Sequence, residues 1–191
     1  MMKGDLVIAD SAEQAKKMLA ARRPTVVKQW KMADFVGFDI VKLEHDEPTV
    51  MRGMQAFMKA RCNQCHVIAG HGIGLGPELT KVAEQYKGAK LLQQLVEPSS
   101  EINKKFQTYR FQLDSGRTLT GVIVKEDPDA YHVVANLLIP HDVKQIAKDD
   151  VARMQASKVS SMPVGLVDVL TKKEIYDLVA FLQSGGFKMK H

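Results

Sequence analysis

The chain contains two cysteines, Cys62 and Cys65, and a histidine follows the second at once, giving Cys62-Asn63-Gln64-Cys65-His66. This is the C-x-x-C-H spacing at which a c-type haem is attached. The spacing has a mechanical reason. Two thiols add to the two vinyl groups on one side of a porphyrin, and a turn of four residues spans that distance. The next residue then lies beneath the iron, which makes His66 the expected proximal ligand, as imidazole commonly is. Other chemistries use paired cysteines too. Structural zinc wants four ligands, and no second C-x-x-C completes a set. A thioredoxin-like pair wants a strand before it and a helix after it; here the approach reads as helix and the exit is rich in glycine. A disulfide closing so small a loop would constrain the unfolded chain little.

A second candidate stands far along the chain, in Ser160-Ser161-Met162-Pro163. Proline pushes the residue before it into an extended conformation, so Met162 is expected on a loop with its thioether free to face a partner. In a chain that already carries C-x-x-C-H, such a methionine reads as the sixth iron ligand. The methionines of the upstream stripe Met51, Met54, Phe57 and Met58 fall at helical spacing and read as core filling instead. Downstream of His66, the run from Ala69 to Thr80 holds four glycines in seven residues, which lets the backbone bend sharply and approach a flat ligand. A phosphate cradle is the competing reading, but no strand leads in and no Gly-Lys-Ser/Thr closes it. His71 in this run reads as a solvent-facing loop residue, with a distal base as the alternative.

Several elements must position these residues. Leu91, Leu92, Leu95 and Val96 make an amphipathic helix stopped by Pro98. Thr171-Lys172-Lys173-Glu174 is a capping box, with Leu170 and Ile175 placed as a hydrophobic staple. Ile175, Leu178, Val179 and Leu182 continue the helix until Gly185-Gly186 ends it. His66 and Met162 stand 96 positions apart, too many for the short connections of a minimal haem domain. The excess is explained by alternating segments at 106–113, 118–124, 131–135, 143–146 and 151–154, read as five short strands. The expected organisation is an N-terminal extension over 1–46, a haem domain over 47–103 and 159–191, and an inserted β module over 104–158, folded as a small antiparallel barrel or sheet. In the extension, Ser11 with Gln14 suggests another capping box ahead of Pro24, and Trp30 and Phe35 are expected to pack it against the rest.

The remaining composition is ordinary for a globular chain: 191 residues, 45% hydrophobic and 26% charged. No apolar run approaches the roughly 18 residues of a membrane span, and 6–9 is too short an apolar stretch for a secretory signal. The net charge of +5, with a pI near 9.1, favours acidic partners. The lysines are scattered and aromatics are few, so a nucleic-acid platform is not expected. No paired carboxylates at telling spacing and no nucleophile motif point to an enzyme.

The helix before the cysteines, C-x-x-C-H, Gly76-Pro77-Glu78-Leu79, Met162-Pro163 and the final Asp177-Leu178-Val179-Ala180-Phe181-Leu182 together resemble class I cytochrome c. More narrowly, Trp30, Glu97-Pro98-Ser99-Ser100, the Asp114-Ser115-Gly116 turn and Ala180-Phe181-Leu182 are similar to the Pirellula/Verrucomicrobium-type haem-binding domain, found at the C-terminus of large exported proteins. The resemblance implies a mostly α cytochrome c fold with the β module inserted, α+β overall. It implies that Gly53 and Phe57 cross the last helix near Leu178 and Phe181, and that the Pro77 carbonyl accepts the Nδ1 proton of His66. One haem c, bound through Cys62 and Cys65 with His66 and Met162 on the iron, would then serve electron transfer to and from redox partners with an acidic docking face, among them a fused or separate dehydrogenase. An extracytoplasmic, periplasmic setting follows, with the chain an excised domain whose export signal lies upstream. The alternative is a haem enzyme or a gas or redox sensor in which the distal ligand is displaceable.

Overall fold

The computed structural model describes residues 25–39, 42–86, 89–137, 139 and 141–186. The helix suggested around Ser11 and Gln14 lies outside them. Helix α1 (Glu47–Lys59) starts where the Asp46 carboxylate accepts from the Thr49 N–H at 3.0 Å. Pro48 occupies its first turn, where a missing N–H costs nothing. Short helix α2 (Val82–Gln85) and α3 (Ala89–Val96) follow, α3 burying all four of its expected apolar residues. The last helix, α4 (Lys172–Gln183), has both halves of its capping box in place. The Glu174 N–H donates to Thr171 Oγ1 at 3.2 Å and the Thr171 N–H donates to the Glu174 carboxylate at 2.7 Å. Leu170 and Ile175 are both fully buried beside it, as a staple requires.

The first and last helices clasp each other. The buried face of α1 includes Val50, Gly53, Ala56 and Phe57; of the stripe read from spacing Phe57 is core and Met54 packs against the core, and Met58 is the residue that departs from it. Met51 and Met54 are only half-buried, and Met58 is 53% exposed. Small residues win that face because α4 comes so close. A Cβ on Gly53 would stand 2.1 Å from the Asp177 carbonyl oxygen and 2.5 Å from the Phe181 Cβ. Phe57 and Phe181 then meet as tilted rings, centroids 5.5 Å apart and planes 54° from parallel. Asp177, buried at this crossing, accepts from Arg52 at 3.0 Å and from Lys173 at 3.1 Å. A charge withdrawn from water needs such partners.

The stretch before α1 docks on the turn that feeds α4. Trp30 donates its indole N–H to the Leu170 carbonyl and its backbone N–H to Asp168, both at 3.0 Å. Phe35 is buried between Trp30 and Tyr176. Thus Trp30 and Phe35 do pack this stretch onto the helices.

Strands β1 (Val67–Ile68) and β2 (His71–Gly72) form a small hairpin directly after His66. The larger sheet comprises β3 (Thr108–Leu113), β4 (Thr118–Glu126), β5 (Ala130–Val134), β6 (Val143–Ala147) and β7 (Val151–Ala156). All its pairs are antiparallel, in the order β6-β5-β4-β3-β7. The five expected strands are present within a few residues of their bounds. The sheet is open, however: among the described residues β6 and β7 do not pair, so the barrel alternative is not what forms. It is nonetheless strongly curled. Its two edge strands are joined only by the turn Lys148–Asp150, which reaches at most about 14 Å. Five flat strands would set those edges about 19 Å apart. The curl rolls Phe111, Val133 and Ile146 inward, where Tyr109, Leu119 and Tyr131 pack on them. Helices and antiparallel sheets together give an α+β architecture, and no helix among the described residues is long and apolar enough to cross a membrane.

Candidate functional site

The site begins where α1 stops. Arg61 takes a left-handed conformation at φ 61°, and a single 3-10 turn, Cys62–Gln64, follows. The Cys62 carbonyl accepts from the N–H of Cys65 at 3.1 Å and of His66 at 2.9 Å. One backbone oxygen thereby sets both later members of the motif relative to the first. The Gly-rich run is laced back onto this turn. Ile73 N–H donates to Asn63, Gly76 N–H to Cys65 at 2.7 Å, and Leu79 N–H to Val67 at 2.8 Å. The Ala69 N–H donates to Thr80 Oγ1 at 2.8 Å, and the Thr80 hydroxyl in turn reaches Glu78.

This lacing fixes the imidazole. His66 Nδ1–H donates to the Pro77 carbonyl at 2.7 Å, so the pairing that the resemblance implied is present. Gly76 lies flat on the ring: a Cβ there would stand 2.8 Å from His66 Cε1 and 3.0 Å from Nδ1. Burial lowers the His66 pKa, and the Pro77 hydrogen bond opposes that only in part. The ring is therefore neutral at pH 7, with its proton on Nδ1 and the Nε2 lone pair left to bind a metal.

Cys62 and Cys65 are both free thiols, the first buried and the second half-buried. Burial pushes the Cys62 thiol up to about 12, with a smaller contribution from Cys65. A redox pair of the thioredoxin kind relies on a depressed pKa at a helix N-terminus. Only a single 3-10 turn, and no α-helix, begins at Cys62, and the shift runs the other way. Zinc fares no better. His66 and His71 are spaced as H-x₄-H, yet among the described residues no three His, Cys, Asp or Glu side chains gather as a metal set. His71 is exposed on β2.

The structure thus gathers Cys62, Cys65, His66 and Pro77 in one compact turn and loop. Met162 is carried separately, on the loop between β7 and the turn Leu166–Val169. It is half-buried, and its N–H donates to Ser160 Oγ at 3.1 Å. Ser160 N–H is held by Ser99 Oγ at 3.0 Å, which ties this loop to the segment after α3.

One feature escapes a reading of motifs. A cleft of ≈ 460 Å³ opens between Gly74–Leu75 and the outer face of the large sheet, lined also by Lys105, Phe106, Val122 and Val134. Val122 and Val134 are register partners, so their shared face was readable from strand alternation. Their meeting with the glycine loop is tertiary and was not.

These residues suit one group. Two thiols are set in one turn, a neutral imidazole has a fixed tautomer and an available Nε2, and a glycine presses against its ring. That donor set fits a haem joined through sulfur with histidine on the iron. The cytochrome c family model matches residues 50–135 of the chain. The match takes in Cys62, Cys65, His66 and Pro77 and ends before Met162. No curated protein matches the chain. Cytochromes c bind covalently attached haem c, are typically electron carriers and are generally extracytoplasmic.

Proposed function

We propose that this chain is an electron-transfer cytochrome of the Pirellula/Verrucomicrobium type, in a periplasmic setting, taking electrons from a dehydrogenase domain or partner through an acidic docking face. Cys62 and Cys65 would hold the haem through their sulfurs, and His66 Nε2 and the Met162 thioether would be the chain's donors to its iron. Haem c, when bound, supplies a one-electron iron couple. The chain's own residues do the rest. Pro77 keeps the His66 proton on Nδ1, which leaves Nε2 as a donor and strengthens it. Gly76 restrains the plane of the ring. The buried turn at Cys62 keeps water from one side of the attachment. A soft thioether from Met162 favours the reduced over the oxidised metal, so His/Met ligation sets a higher potential than two histidines would.

The observation that carries this reading is the His66–Pro77 bond with Gly76 against the ring, directly after two free cysteines one turn apart. The test is spectroscopic. Protein matured in a host able to attach haem is expected to be coloured, heavier than the bare polypeptide by one haem, and low-spin in the ferrous state. The oxidised form is expected to show a weak far-red thioether-to-iron band. Met162→Ala should abolish that band and lower the potential; if both stay, Met162 is not the ligand. A high-spin signal with ready carbon monoxide uptake would favour the enzyme or sensor reading.

A further inference from the structure

The large sheet is curled, so its two faces differ. Its aromatic residues Tyr109, Phe111 and Tyr131 all turn inward. On the outer face β3 presents Arg110, and the register sets Thr120 beside it on β4 and Gln155 beside it on β7. One step along, Gln112 stands between Thr118 and Arg153. Arg110 and Arg153 are exposed, and neither guanidinium has an ion-pair partner among the described residues. No outward strand position of the sheet carries a carboxylate; Glu126, at the end of β4, stands opposite the inward Tyr131 and binds Lys148 at 2.7 Å, and Asp127 in the following turn is held by Lys125 at 2.9 Å and His132 at 2.7 Å. At the other end of β3 come the exposed Lys104 and Lys105, also without an ion-pair partner among the described residues. This end runs into the cleft against Gly74–Leu75. From Thr118 to Val122 along β4 is about 14 Å.

We infer that the outer face of this sheet is the docking surface for an acidic redox protein, gripped by Arg110, Arg153 and Lys105 and seated next to the loop that positions His66. The inference rests on the electron-transfer reading and gives the sheet its task within it. Charge complementarity chooses the occupant: unpaired cations on a face whose strand positions carry no carboxylate, and whose neighbouring Asp127 is already paired, steer an acidic partner and fix its register. Single-stranded nucleic acid, the other polyanion, would want a run of aromatic rings to stack on, and the Tyr and Phe rings of the strands, Tyr109, Phe111 and Tyr131, all turn inward. The polar threonines and glutamines between the cations suit a transient complex that forms and parts quickly.

The test uses the full haem-loaded chain and reduced rubredoxin, a small acidic iron protein, as probe. One electron passes from rubredoxin Fe(II), which becomes Fe(III), to the oxidised haem iron, and no proton moves. The bimolecular rate is expected to fall steeply as salt rises. The double variant Arg110→Glu/Arg153→Glu should slow it at least about tenfold at low salt, leaving the melting temperature and absorption spectrum unchanged. Lys81→Glu, a charge change away from the sheet, should leave the rate near that of the parent. A second readout does not depend on the haem. Backbone amide shifts of the labelled chain on adding zinc-substituted rubredoxin should map to β3, β4 and β7. Shifts confined to the helices, an unaltered rate in the double variant, or binding of a single-stranded RNA oligonucleotide with none of rubredoxin would each overturn the proposal. A colourless protein whose sheet amides still shift would sink the electron-transfer reading and leave the docking face standing.

Discussion

His66 is held by two neighbours that act in different ways. Pro77 fixes its proton through a hydrogen bond, and Gly76 fixes its plane by contact. The contact predicts a sharp contrast within one loop. Gly76→Ala would drive a methyl into the ring and is expected to cost about 1–3 kcal/mol, the usual penalty of overpacking. Gly74→Ala meets only Val67 Cγ2, at 3.8 Å, and should stay within about 0.5 kcal/mol of the parent. Thermal melts of the two variants check this; equal melting temperatures would mean that the ring is free to move aside. At this scale much was legible. Covalent attachment demands a fixed spacing, so Cys62, Cys65 and His66 announced themselves, and Pro163 marked Met162 as a loop residue. The cross-loop bonds from Asn63, Cys65 and Val67 carry no sequence signal because backbone groups supply them.

At the scale of elements, α1 and α4 show what spacing reveals and what it hides. The capping box and staple of α4 are local chemistry and could be read directly. Thr171→Ala removes the acceptor for the Glu174 N–H and should cost about 1 kcal/mol by denaturant melt. The Glu174 pKa is lowered overall. Its partial burial works against ionisation, but the Lys59 ion pair at 2.7 Å and the Thr171 bonds outweigh it. A depressed folded pKa stabilises the fold above the unfolded value, near 4.5, and that stability is lost as pH falls through the folded value. Glu174→Gln is therefore expected to be less stable at pH 7 and to lose less on acidification below about 4.5; parallel curves would rule the carboxylate out as a cause. The face of α1 was read only in part because Gly53 and Ala56 add little to any apolar pattern. Their value lies in what they omit. Gly53→Ala should be among the costliest single changes, about 3 kcal/mol or more, since the obstruction at Asp177 is backbone and cannot swing away.

At the scale of the whole molecule, the described residues form two apolar clusters, one among the helices and one inside the curled sheet. The strands were legible from alternation and turn residues. Their curl was not sought, although the three residues between β6 and β7 already demand it. Lengthening that link tests the point. Tripling the link from three residues to nine costs only about 1 kcal/mol in chain entropy, so a six-residue Gly-Ser insertion after Asp149 should destabilise the sheet beyond that only by letting it flatten. Hydrogen exchange is expected to quicken at Phe111 and Val133 and to hold steady at Leu178 and Val179. Uniform quickening would show that sheet and helices melt as one unit.

The clasp between the first and last helices has a temporal consequence. A polypeptide leaving the ribosome or a secretion pore delivers the cysteine turn before α4. Until α4 arrives, Gly53 and Phe57 lack the cover of Asp177 and Phe181, and the core cluster that takes in Cys62 is incomplete. In the finished fold Cys62 is only 7% accessible. Were haem joined at Cys62 as proposed, its attachment would precede the docking of α4, and a purified, fully folded apoprotein should be a poor substrate for it.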